Sequence, residues 1–161
     1  MLLAASSYST LISAYRTSEQ TSDLVNNLSF ALQEMSSSIR TGTAYGCGAG
    51  ALTSCPVSPT NCFSFVNQDG MATSYLLRYD GTIGRINGGR SCAEGVALAM
   101  TDPNVHIDTL DFFVTGAAKG DGLQPRVVFV VSGTIDEKRQ GAMVSVRFSL
   151  ESEVTQRLLD I

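Results

Sequence analysis

Apolar residues recur with a helical period between Leu24 and Ile39. Leu24, Val25, Leu28, Ala31, Leu32, Met35 and Ile39 form one stripe, and Asp23, Asn26, Asn27, Glu34, Ser37 and Arg40 take the other side. This spacing predicts an amphipathic helix. Leu24, Leu28, Ala31, Leu32, Met35 and Ile39 are its expected packing contacts. Arg40 suits the negative end of the helix dipole, and Gly42 reads as a left-handed stop. Upstream, Tyr8, Leu11, Ile12 and Tyr15 repeat the spacing, and neither Gly nor Pro interrupts positions 2–41. One continuous helix is therefore expected, about 60 Å long at ~1.5 Å per residue. Such a helix outruns a domain of this size, so its first half must project, meet another chain or enter a membrane. The alternative is a start near Thr17, with Gln20 completing a capping box.

Beyond Thr41 the period changes. Residues 42–61, rich in Gly, Pro, Ser and Cys, read as a long surface loop, functional or stapled. "CFSFVN", "ATSYLLRY" and "TIGRIN" alternate as strands, with Phe63 and Phe65 on one face. Asp80-Gly81 between two such runs predicts a type I′ hairpin turn. Residues 88–103 read as irregular, with a short buried piece from Val96 to Met100. A second meander follows: "VHIDTLDFFVTGA", "RVVFVVSGTI" and "AMVSVRFSLESEV". In the first, Val105 and Ile107 share a face with Leu110, Phe112 and Val114 only if a bulge intervenes. In the last, Val144, Val146, Phe148 and Leu150 are expected inside. The expected fold class is α+β, with a long N-terminal helix packed on one antiparallel sheet made of two meanders. Its parts are the helix at 1–41 (residues 1–16 apart from the amphipathic half at 17–41), the loop at 42–61 and the sheet head at 62–161.

Composition narrows the function classes. The net charge is −4, with 11 basic against 15 acidic residues. Without a basic stripe, no nucleic-acid partner is expected. Charged residues make up 16% of the chain, against about 25% ordinarily, which suits a surface outside the cytosol. Cys47, Cys55, Cys62 and Cys92 contain no C-x-x-C pair, and His106 is the single imidazole, so zinc fits poorly. An even number of cysteines, three of them around one loop, reads as two disulfides in an oxidising compartment, with all three pairings open. Joining Cys47 to Cys62, for example, would contribute about 3 kcal/mol.

Catalytic chemistry finds little purchase. His106 stands beside Asp108 in an expected strand, but no G-x-S-x-G elbow accompanies them. Glu151 and Glu153 fall on a wet strand face. "DGTIGRINGG" lacks the strand–loop–helix context of a phosphate cradle. "GDG" at 120–122 offers oxygens to calcium but reads as a turn. No catalytic residue, metal site or cofactor is expected.

The segments "LVNNLSFALQEMSSSIRTGTAYGC", "DTLDFFVTG", "GDGLQPRVVFVVSGT" and "FSLESEVTQRLLDI" carry a resemblance. The chain resembles the bacterial type IV pilin-like superfamily, and within it the minor pilins or J-type pseudopilins of type II secretion systems. The likeness covers nearly all of the chain. It implies a non-enzymatic structural subunit that waits in the inner membrane with an extracytoplasmic head and then joins a filament. Its partners would be other pilin or pseudopilin subunits and the inner membrane. The family's basic leader, cleavage-site Gly and early Glu are not found in residues 1–16. The resemblance therefore implies that this stretch is the lower end of a membrane span, which about ten more upstream residues would complete. Leu2, Leu3, Tyr8, Leu11, Ile12 and Tyr15 would be the membrane or filament-core contacts, with the tyrosines at the headgroup level.

Two rivals stand beside this reading. A secreted β-rich module binding a glycan or protein would need an aromatic platform, and with no Trp the head offers Tyr45, Tyr75 and Tyr79. A hydrolase would have to depend on His106.

Overall fold

A computed structural model describes the backbone of residues 2–50, 52–139 and 142–157, and the side chains of residues 22–50, 52–136 and 143–157. Among the described residues, one helix, α1 (Leu2–Thr41), leads into nine strands: β1 (Thr43–Cys47), β2 (Cys55–Thr60), β3 (Cys62–Val66), β4 (Ala72–Leu77), β5 (Ile83–Asn87), β6 (Leu98–Ala99), β7 (Val105–Thr115), β8 (Arg126–Arg139) and β9 (Ala142–Thr155). A 3-10 turn at Glu94–Val96 precedes β6.

The expected α+β fold, a long helix packed on one sheet of two meanders, is not what forms. Among the described residues, strand predominates over helix. The strands form two separate antiparallel sheets, one ordered β1-β3-β4-β5-β6 and the other β2-β7-β8-β9. Alternation reveals which face of a strand is apolar but not which strand lies beside it. Here each meander pairs within itself, and the two apolar faces meet face to face instead of joining edge to edge. Phe63, Phe65 and Tyr75 of the first sheet share one core with Phe112, Val114, Phe129 and Val131 of the second. The described side chains of α1 add Leu28, Met35 and Ile39 to that core.

Local chemistry accounts for several departures. The segment at 42–61, read as loop, supplies two edge strands. β1 pairs with β3 through an irregular register, and β2 pairs with β7. Gly42 is not a left-handed stop. A Cβ there would lie 2.4 Å from the Phe65 ring, so glycine is required by packing. The positive φ falls instead on Ala44, at 54°. The Asp80-Gly81 turn is not type I′ either, because among its residues only Gly81 has a positive φ (74°). The Gly81 amide donates to the Arg78 carbonyl (3.0 Å), and the Arg78 amide donates to the Thr82 carbonyl (3.0 Å). This is a three-residue loop closed by a left-handed glycine. Asn67–Met71 repeats it, with Gly70 at φ 77°.

The stretch from Val96 to Met100, expected as a short buried piece, lies partly outside, with Met100 packed against the core. Val96 and Leu98 are 65% and 66% exposed. "DEKR", read as turn, continues β8 as far as Arg139. By contrast, β7 does carry a register shift between Ile107 and Thr109, which the change in apolar parity requires.

Candidate assembly surface

Four named packing residues of α1, Leu28, Ala31, Met35 and Ile39, are at most 4% exposed. Leu24 and Leu32 are half-buried against the same core. Val25, on the flank of the stripe, is exposed, and so is Phe30 on the far side. Polar contacts fix the helix to both the first sheet and the loop beyond it. The Arg85 guanidinium on β5 forms a salt bridge with Glu34, and Asn27 Oδ1 accepts a hydrogen bond from the Asp102 amide (2.9 Å). The Arg40 carbonyl accepts from the Arg157 amide (2.9 Å) just beyond β9. Leu2, Leu3, Tyr8, Leu11, Ile12 and Tyr15 have side chains outside the described residues. Among the described residues, no helix is long and apolar enough to cross a membrane.

The cysteines resolve the open pairing. Cys47 bonds Cys55, and Cys62 bonds Cys92, with Cα separations of 6.2 and 5.9 Å. Cys47–Cys55 joins β1 of one sheet to β2 of the other, so it ties the sheets together at their edges. Cys62–Cys92 ties the start of β3 to the irregular segment after β5. A further tie is Arg90, whose guanidinium donates to the carbonyls of Gly50 (3.0 Å) and Ala44 (2.6 Å) and to the Ser64 hydroxyl (3.1 Å). Burial lowers its pKa. Arg90 follows Gly88-Gly89 in an aperiodic run, so no sequence signal distinguished it.

The structure places His106, Asp121 and Glu153 in contacts with nearby turns and strands and leaves Glu151 exposed. His106 Nε2 lies 3.7 Å from Asp108 Oδ1, and both side chains are at least half exposed. The imidazole covers the hairpin, with its Nδ1 2.2 Å from where a Gly81 Cβ would stand. Asp121 Oδ1 accepts from the Leu123 amide (2.8 Å), which makes "GDG" an Asx turn. Glu153 is 3.4 Å from Arg126, and Glu151 is exposed on the same strand face. Among the described residues, no group of His, Cys, Asp and Glu is placed to hold a metal ion. Tyr45 and Tyr75 are buried and only Tyr79 is exposed, at 95%, so the three do not form an aromatic platform. Burial pushes the Tyr45 phenol well above its usual pKa, and its hydroxyl donates to the Ile39 carbonyl at 2.6 Å.

β9 departs furthest from its expected burial. Its apolar row was expected inside, yet Val144, Val146 and Leu150 are 37%, 47% and 44% exposed and Phe148 is only half-buried. Register explains this. Val146, Phe148, Leu150 and Val154 stand opposite Ile135, Gly133, Val131 and Val127, all on the core-facing side. Because β9 is the last strand of its sheet, most of this row lies past the cover that α1 and the other sheet provide. Between α1 and β9 runs a groove of about 440 Å³, lined by Leu32, Ser36, Arg40, Phe129, Leu150 and Ser152 among others. Comparison of the chain with protein-family models, curated proteins and solved structures finds no match.

Proposed function

We propose that the protein is a non-enzymatic structural subunit, of the minor-pilin or pseudopilin kind, in a type IV pilus or type II secretion-like filament. The observation that carries this reading is the division of labour along α1. Leu28, Ala31, Met35 and Ile39 are buried in the protomer's core. Ahead of them, residues 1–15 hold no charge and carry the apolar residues Leu2, Leu3, Leu11 and Ile12. A helical segment of that composition gains most by packing against other apolar helices or lipid. The two disulfides support an extracytoplasmic head, because such bonds persist in oxidising compartments. In this reading the inner membrane holds the upstream end, and sibling subunits take up the helix when the filament is built.

The experiment is genetic complementation in the source organism. Deleting the gene should abolish a filament or its secretion activity. Restoring the natural gene should recover it, whereas Leu11→Asp with Ile12→Asp should not, at equal protein level. Full recovery by the charged variant, or a deletion that leaves filaments and secretion intact, would overturn the proposal.

A further inference from the structure

The geometry points to β9 as a homodimerisation edge, at which a second copy of this chain pairs antiparallel to β9 about Ser149 and joins two four-stranded sheets into one. This inference stands on β9 alone and does not depend on the filament reading.

The four sheet edges are not alike. β6 has two residues, and β1 has five with an irregular register. β2 reads Cys-Pro-Val-Ser-Pro-Thr, and its two prolines remove amides a neighbouring strand would need. These are the usual ways of blunting an edge. β9 has none of them. It is 14 residues long without proline, about 46 Å at ~3.3 Å per residue. Its core-side row of Val144, Val146 and Leu150 is exposed.

Charge selects the occupant and the register. Arg147 and Glu151 both project from the face opposite the apolar row, and both are exposed. Neither has an ion-pair partner among the described residues, whereas Glu153 already meets Arg126. In a two-fold pairing centred on Ser149, Arg147 stands opposite Glu151 of the partner subunit, and the symmetry repeats this contact. On the other face, Phe148 stands opposite Leu150 of the partner subunit, again twice. One register thus pairs Arg147 with Glu151 on one face and the half-buried Phe148 with the exposed Leu150 on the other. Centring on Leu150 would instead set Arg147 against Glu153, which is already engaged. Cross-strand pairs of this kind are the units that stabilise a sheet, and a two-fold axis is the commonest way for identical chains to associate.

Sedimentation velocity across a concentration series tests this with the whole chain. The natural protein should form a dimer. Arg147→Glu and Glu151→Arg, each alone, place like charges opposite each other at two sites and should weaken dimerisation on the order of tenfold. Mixed one to one, the two variants should associate as tightly as the natural protein, because each supplies the charge the other lacks. Circular dichroism melts of the single variants should match the natural chain. A natural protein that stays monomeric overturns the inference. So do single variants that dimerise unchanged, a loss seen with Arg147→Glu but not Glu151→Arg, or a mixture no tighter than either variant alone.

Discussion

The ring of Phe63 stacks on that of Phe112, with centroids 5.4 Å apart and planes inclined by 26°. Phe63 belongs to β3 and Phe112 to β7, so this contact joins the two sheets at their centre. It continues on one side through Phe65 to Tyr75 and on the other to Phe129, and all of these rings are buried. Phe63→Ala should cost about 3–5 kcal/mol in urea unfolding. Phe113→Ala, one residue along β7 and only half-buried, should cost much less. Equal losses at the two positions would contradict a core placed between the sheets.

The disulfides close loops of unequal length, with sequence separations of 8 and 30. Chain entropy assigns about 2.5 kcal/mol to Cys47–Cys55 and about 3.6 kcal/mol to Cys62–Cys92. Cys62→Ser with Cys92→Ser should therefore lower the unfolding midpoint more than Cys47→Ser with Cys55→Ser. Peptide mapping of the oxidised protein should recover these two pairs and no others.

Gly133 lies opposite the bulge of β7. A Cβ there would lie 2.1 Å from the His106 carbonyl oxygen, and backbone cannot swing away as a flexible side chain can. Gly133→Ala should destabilise by on the order of 2–3 kcal/mol. The cost is measurable by thermal unfolding, and a neutral substitution would show that β7 and β8 do not approach so closely.

Alkaline stability tests Tyr45. Its pKa in the fold is raised by burial above the ordinary value of 10.0. The contribution is fully present below pH 10 and is lost as pH rises beyond it, since the unfolded chain ionises first. Tyr45→Phe should lower stability by about 1 kcal/mol at pH 7, through the lost bond to the Ile39 carbonyl. It should also flatten the fall above pH 10. An unchanged alkaline slope would remove Tyr45 as a cause.

Much of the local structure was legible in the residues. The stripe from Leu24 to Ile39 marks a helix face, and Phe63, Phe65, Leu110, Phe112 and Val114 mark strand faces, because the two periods differ. The partition into two sheets was not legible. Pairing depends on long-range packing such as Phe63 on Phe112, and period-2 alternation is silent about it. The same gap explains β9. Its row from Val144 to Leu150 has the pattern of a core-facing strand, and whether that face is covered depends on where α1 and the other sheet end. Arg90 was invisible for a different reason: its three acceptors lie in β1, β3 and the loop between β1 and β2, which only the folded chain brings together.

In the proposed function, the helix ahead of the packed segment binds sibling subunits. Site-specific photo-crosslinking in living cells tests it most directly, with a photoreactive residue at Ile12 in one strain and at the exposed head position Tyr79 in another. The account predicts that Ile12 crosslinks to subunits of one filament system, identified by mass spectrometry and lost when that system's assembly motor is deleted. Ile12 adducts confined to the same protomer, or adducts unchanged without the motor, would contradict it.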